Sequence, residues 1–427
     1  MSYTRDLVLE ITNSTPMLVG WYSPELVDPQ GLRATEVKGI WRWWARAVIG
    51  GALFDECMLV GERSDEILRK PTSDEIESIS CLVGKILGLG CATRECVEAS
   101  RFTLKIETLT QGLERRVRSI SGAEGYQRMK LLSLGERRER KLINYIPEGA
   151  TFKVTVDRVR TRYGDAEDLA VKILVLALQL MGVGKGSRRG LGSLDLNSLD
   201  SRITIPSELR KLLDGVYNEA KDVVKKYAKE CPRINVKPCN ERSLPPMPVM
   251  SKLTSKDVSV RANVNFNITS VYLIRDSSKD PREMFRDIHN FFVRSERCRK
   301  LHDNPECYDD LRNRHQAWIL GLPRAQKGTG YEVTVKGIDR RASPIIVSCH
   351  SENNRFGSGV FVTSILSADW PIGMKWTGRG RDRGRNIIVN EEHIVSAMNT
   401  ALKEFEKFVR KVVMKADYSL DRDRVWP

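Results

Sequence analysis

Residues 166–181 read as an apolar helix, and it runs directly into Gly182-Val-Gly-Lys-Gly-Ser-Arg-Arg-Gly-Leu-Gly192. Glycine lets a backbone enter left-handed conformations and approach a neighbour closely, so Gly182, Gly184, Gly186, Gly190 and Gly192 mark a loop that is tightly shaped. Lys185, Arg188 and Arg189, with the Ser187 hydroxyl among them, give that loop three cations. Backbone N–H groups turned toward an anion, with cations beside them, make a phosphate-holding loop. After the glycines, Leu191–Leu196 can return as a strand.

Two familiar phosphate motifs do not fit. A Walker A loop needs Gly-Lys followed at once by Ser or Thr at a helix start, whereas Gly186 separates Lys185 from Ser187. The dinucleotide fingerprint needs a third glycine at fixed spacing and a strand before it, and here a helix precedes. A nucleic-acid backbone therefore suits the loop better than a single nucleotide.

The charge balance agrees. The 427 residues carry a formal charge of +15 and a pI near 9.4, as expected of an electrostatic footprint for nucleic acid. Clusters recur at Arg115, Arg116 and Arg118, at Arg137 to Lys141 and at Arg379 to Arg385, each also explicable as a solvated face. No run of 18 apolar residues is present, and Met-Ser-Tyr-Thr-Arg-Asp leads into alternating strand residues, so a cytoplasmic protein without a membrane partner is expected. Nine cysteines, an odd number, do not resemble a secreted disulfide framework. Cys298, His302 and Cys307 lack a CxxC pair and a fourth ligand, so neither a metal nor a cofactor is expected there.

Further elements follow from periodicity. Residues 5–12, 101–109 and 151–159 alternate as strands, while Thr35 can cap a helix that Gly50-Gly51 would end or interrupt. On that helix Val37, Ile40, Trp41, Trp44 and Val48 share one face, Lys38, Arg42 and Arg46 line another, and Trp43 stands apart from both. Strand, helix, strand, strand, helix, strand is the order of a ferredoxin-like, or RNA-recognition, fold. A similar order recurs after residue 262: a strand at 264–274, a helix at 282–299, strands near 331–337, 343–349 and 359–366, and a helix at 391–414. The expected architecture is α+β: two tandem ferredoxin-like domains over 1–196 and 262–427, with a helical, proline-bearing connector at 197–261 whose Leu244-Pro-Pro-Met-Pro248 cannot be regular.

The segment Leu32-Arg-Ala-Thr-Glu-Val-Lys-Gly-Ile-Trp-Arg-Trp-Trp-Ala-Arg-Ala47, with the glycine loop, resembles the RAMP superfamily of CRISPR effector subunits. With Leu320-Gly-Leu-Pro-Arg324 and Arg340-Arg-Ala-Ser-Pro344, it is similar to the first RAMP subunit of type III-B, or Cmr, complexes. That resemblance implies two tandem ferredoxin-like domains and a non-cutting subunit that holds the 3′ region of the guide RNA and the paired target. Its partners would be guide RNA, target RNA and other RAMP subunits, against which the two second-half motifs are able to dock.

Single-stranded RNA is held by cations along its backbone and by flat faces under its bases. Lys38, Arg42, Arg46, Lys185, Arg188 and Arg189 supply cations; Trp43, ahead of the more core-like Trp44, supplies a stacking face. Arg379, Arg381 and Arg383, in Thr-Gly-Arg-Gly-Arg-Asp-Arg-Gly-Arg, form either a disordered basic loop or a second RNA contact. The alternative function is a metal-independent endoribonuclease that processes guide precursors. Such enzymes commonly use a histidine, and His289, His302, His315, His350 and His393 all fall in the second half of the sequence, with none in the best-marked RNA segments. Asp28, in the long loop after the first strand, and His315, beside Arg312 and Arg314, are the remaining candidates for catalysis. A DNA-binding or ribosome-associated basic protein is the third class.

Overall fold

Alternating residues at the start of the chain become strand β1 (Thr4–Asn13), whose Leu7, Leu9 and Ile11 are fully buried on one face. The structure is a computed structural model that describes residues 4–20, 26–120, 126–127, 129, 143–231, 239, 242–302, 309–322, 330–336, 338, 340–378 and 383–427, without the side chains of residues 294, 295, 298 and 302. Strands β2 (Phe102–Thr108), β3 (Thr151–Arg158) and β4 (Leu194–Ser201) join β1 in a sheet of order β2-β3-β1-β4, antiparallel at every pairing. Helix α1 (Ala34–Asp55) lies between β1 and β2 in the chain, and α2 (Gly164–Leu180) between β3 and β4.

The second half repeats this order. Strands β5 (Thr269–Ile274), β6 (Ile345–His350), β7 (Gly359–Ile365) and β8 (Arg424–Trp426) pair as β6-β7-β5-β8, again antiparallel throughout. Helix α4 (Pro281–Phe291) follows β5 and α5 (Glu391–Phe408) follows β7, leaving α3 (Leu209–Tyr227) to the connector. The helix expected over 282–299 divides into α4 and Arg294–His302. The strand expected at 331–337 is only Tyr331–Val333, and it belongs to a separate small sheet with Gly373–Trp376 and Asn386–Ile388. The chain is thus a mixed α and β protein with several antiparallel sheets.

Helix α1 differs from its expectation at both ends. Arg33, not Thr35, occupies the N-cap and makes no side-chain cap bond. Gly50 and Gly51 do not end the helix, although two glycines cost it up to about 1 kcal/mol each. They are where the connector crosses: a Cβ on Gly51 would lie 1.9 Å from the Met250 carbonyl oxygen, and one on Gly50 would lie 3.2 Å from Val249. The Met250 N–H donates to the Ala47 carbonyl at 2.8 Å, so the missing side chains let backbone dock on backbone.

The two halves share one continuous apolar core. At their junction the Gln179 carbonyl, in the last turn of α2, accepts from Ser348 Oγ at 2.5 Å and lies 2.8 Å from His350 Nε2, and Asn354 donates to the Gln179 amide oxygen at 2.9 Å. Several arginines are structural. Arg158 pairs with Asp6 at 2.6 Å and with Glu167 at 3.2 Å, and Arg101 pairs with Glu167 at 2.6 Å, all buried. Buried charges of this kind must be paired to be tolerated.

The cysteines overturn the expectation drawn from their odd number. Disulfides join Cys57 to Cys239, Cys81 to Cys231 and Cys91 to Cys96, and Cys349 is buried and free. The first two span 182 and 150 residues and fasten the middle of the connector to the first half. Among the described residues no group of three or more His, Cys, Asp or Glu side chains could hold a metal, and no helix is long and apolar enough to cross a membrane; Cys307 and the Cys298 and His302 side chains lie outside the described residues. Closing a loop this long stabilises by about 5 kcal/mol when the bond acts alone, and by less for the second, nested bond. Reduction under native conditions should therefore lower Tm by roughly 10 °C or more, read by calorimetry. Identical melting with and without reductant would mean that these sulfurs are thiols.

Candidate nucleic-acid interface

Helix α1 divides as its wheel predicts. Val37, Ile40, Trp41, Trp44 and Val48 are buried, and the Trp41 indole N–H donates to the Ala170 carbonyl at 2.7 Å. Lys38 is half-buried and Arg46 is exposed. Partial desolvation, and then the neighbouring Arg42, lower the pKa of Arg46. Arg42 reaches back to the Leu89 carbonyl, with Nε at 3.2 Å. Trp43 is half-buried, its ring edge-on to Trp44 at 5.1 Å.

The glycine loop folds back on itself. Gly184, Gly190 and Gly192 have positive φ, and a Cβ on them would lie 2.3 Å from the Leu18 carbonyl oxygen, 2.3 Å from the Phe285 ring and 2.2 Å from the Val183 carbonyl oxygen. Only glycine fits such positions without strain. The loop N–H groups of Val183, Lys185, Arg189 and Gly192 donate to the carbonyls of Gly192, Leu18, Gly186 and Pro16 at 2.8–2.9 Å, and the Ser187 carbonyl accepts from Gly190 N–H at 3.2 Å. These donors hold the loop's own shape and do not open toward a polyanion. Lys185 and Ser187 are half-buried.

Its two arginines part company. Arg189 is buried: the guanidinium sits 3.9 Å from the Phe292 ring centroid and donates to the Ile345 carbonyl at 3.4 Å and to the Leu320 carbonyl, while its own carbonyl lies 3.0 Å from His289 Nδ1. Arg189 therefore pins the second half to the loop. Arg188 points the other way, with its guanidinium 4.5 Å from the centroid of the Trp43 ring. Burial, and then the charge of Arg341, push the Arg188 pKa down to about 10, and Asp369 acts against that shift. It remains a cation at neutral pH, short of solvent and near a like charge. An anion arriving there relieves both penalties.

Four segments distant in sequence thus meet: the Arg-Trp-Trp helix, the glycine loop and both second-half motifs. Leu322 and Arg341 exchange backbone hydrogen bonds at 2.7 and 3.3 Å, tying those two motifs together. Arg341 lies over the Trp370 ring at 4.2 Å and pairs with Asp369 at 2.6 Å. Nothing in the spacing of the sequence flags Asp369 or Trp370.

Other singled-out residues lie elsewhere. Arg383 is exposed in the turn between Gly373–Trp376 and Asn386–Ile388, where Gly384 N–H donates to the Trp376 carbonyl at 2.8 Å; Arg379 and Arg381 lie outside the described residues. Asp28 is buried in the turn before α1, where it accepts from Gln30 N–H at 2.8 Å and forms an ion pair with Arg33 at 3.3 Å. His315 packs edge-on against Trp376 at 5.4 Å, and His289 and His350 are fully buried. Among the described residues, neither Asp28 nor His315 is placed with a second acid or base in an open cleft.

Comparison with known proteins gives a partial match in sequence and a full-length match in fold. The sequence model of the RAMP superfamily matches residues 10–195. No protein with a curated description matches the sequence. A chain of the type III-B Cmr-beta complex bound to cognate target RNA superimposes with a TM-score of 0.51 and 11% identity, covering 94% of this chain and 100% of that one, which is a likeness of fold. Apo Cmr1 from Pyrococcus furiosus aligns over 100% of this chain and 99% of its own, at 17% identity and a TM-score of 0.49. Over residues 10–195 the chain is therefore similar in sequence to the RAMP superfamily.

Proposed function

We propose that this protein is a non-catalytic RNA-binding subunit of a type III-B CRISPR effector. In that role it holds the 3′ region of the guide RNA, the paired target, or both, in cytoplasmic antiviral defence, with other RAMP subunits as its protein partners. The observation that carries this reading is the Trp43–Arg188 pair, a half-buried cation laid on an aromatic face beside a second arginine. The fold likeness to a chain of an RNA-bound Cmr-beta complex and the net charge of +15 agree with it. The strand order of each sheet supports reading the halves as tandem ferredoxin-like domains.

Arg188 is the principal contact in this account. Trp43 holds its guanidinium flat, so that the arginine plane, more than the indole, meets a base or phosphate. Lys38, Arg46 and Lys185 add charge around the pair, and Arg383 reaches RNA from its own hairpin. Sequence selection belongs to guide pairing, while the protein grips backbone and shape.

Labelled single-stranded RNA, titrated with the chain in EDTA and split between native and denaturing gels, should be shifted and intact. RNA shortened by repurified protein would establish the endoribonuclease instead. Preference for duplex DNA would refute both. Arg188→Ala should reduce the slope of log affinity against log salt by about 0.7, one single-strand phosphate contact. Arg189→Ala should leave that slope unchanged and lower Tm, because its guanidinium serves the second half. Equal slope changes in both variants would contradict these separate roles.

A further inference from the structure

A second cationic site lies where the two halves meet, at the N-terminal end of α4. Arg115, Arg116 and Arg118 from the first half and Arg282 and Arg286 from the second line one cavity of about 510 Å³, with Glu148 and Asp280 as its acids. Five guanidinium groups against two carboxylates leave three net positive charges around it. Both acids are already engaged: Asp280 caps α4 by accepting from Arg282 N–H at 2.8 Å, and Glu148 accepts from the Tyr126 hydroxyl at 3.3 Å.

Two of these cations are held by hydrogen bonds. Arg116 donates to the carbonyls of Gly149 and Glu148 at 3.1 and 3.3 Å. Arg286 hydrogen-bonds the Tyr126 hydroxyl, which raises its pKa. The Nε atom of Arg282 is buried and has no hydrogen-bond partner among the described residues. The positive end of the α4 dipole favours an anion at the same place.

We propose that this arginine cavity is a phosphate-binding site, distinct from the Trp43–Arg188 pair, and that its ligand is the backbone of single-stranded RNA. Guanidinium groups match phosphate oxygens in pairs, and a cavity of this size holds more than one phosphate. Because both halves line it, a bound polyanion also clamps them together. The RNA assignment rests on the function proposed above; the phosphate chemistry does not.

The test compares wild type with Arg282→Gln/Arg286→Gln, with Arg115→Gln/Arg118→Gln, which leaves α4 untouched, and with Arg63→Gln/Arg94→Gln, a charge-matched control at exposed positions. Each cavity variant should lower the RNA salt slope by about 1.4, two contacts, while the control leaves it unchanged. Inorganic tripolyphosphate should raise the Tm of wild type and control but not of the cavity variants. A tripolyphosphate effect without a slope change keeps the site and assigns it to free polyphosphate. If wild type binds no RNA, the proposed function fails, and the tripolyphosphate melting still decides this site. Loss of neither property in either cavity variant, or equal loss in the control, would overturn the proposal.

Discussion

Everything at the proposed RNA site depends on how the loop 182–192 is packed. Gly184 and Gly192 bring backbone against backbone, Gly190 admits the Phe285 ring, and the N–H groups of Val183, Lys185, Arg189 and Gly192 donate to neighbouring carbonyls. The loop is a rigid connection between α2 and β4 that also touches the second half, through the Val347 N–H donated to the Arg188 carbonyl at 3.1 Å and through the buried Arg189 guanidinium. With Arg189 turned inward, its neighbour is turned outward onto Trp43. A side chain at Gly190 would push α4 away and release both.

This arrangement separates two uses of positive charge. Arg101, Arg158, Arg189 and Arg341 are buried and matched to carboxylates or carbonyls. They hold the architecture and contribute little field at the surface. Among the described residues Arg188 makes no such close pair: it loses solvent and feels Arg341, with Asp369 opposing that effect, so an incoming anion would add to its stabilisation. A net charge of +15 therefore overstates what RNA would feel, and position matters more than the total.

Periodicity made much of the fold legible, because inward residues such as Leu7, Leu9 and Ile11 alternate and those of α1 recur at helical spacing. Strand β8 was not legible: Arg424–Trp426 is too short to show a period, and it is fixed by pairing with β5 and by the Trp426 indole bonded to Asp214 at 3.0 Å. The glycine pair in α1 misled because its cause, the crossing of residues 249–250, is tertiary. An odd cysteine count likewise says nothing about which sulfurs are neighbours in space. At the site, the wheel separated the buried Trp41 and Trp44 from the half-buried Trp43. It had no access to the loop that lays Arg188 on Trp43, nor to the fact that several of the loop's N–H groups are already used.

The central claim is that Trp43 and Arg188 act as one unit in gripping single-stranded RNA. A double-mutant cycle of Trp43→Ala and Arg188→Ala on RNA affinity, with melting curves to confirm folding, tests it directly. The account predicts that each single change weakens binding by roughly 1–3 kcal/mol and that the double change is little worse than Arg188→Ala alone. Losses that simply add would show two independent contacts and contradict the claim, as would unchanged affinity in both single variants.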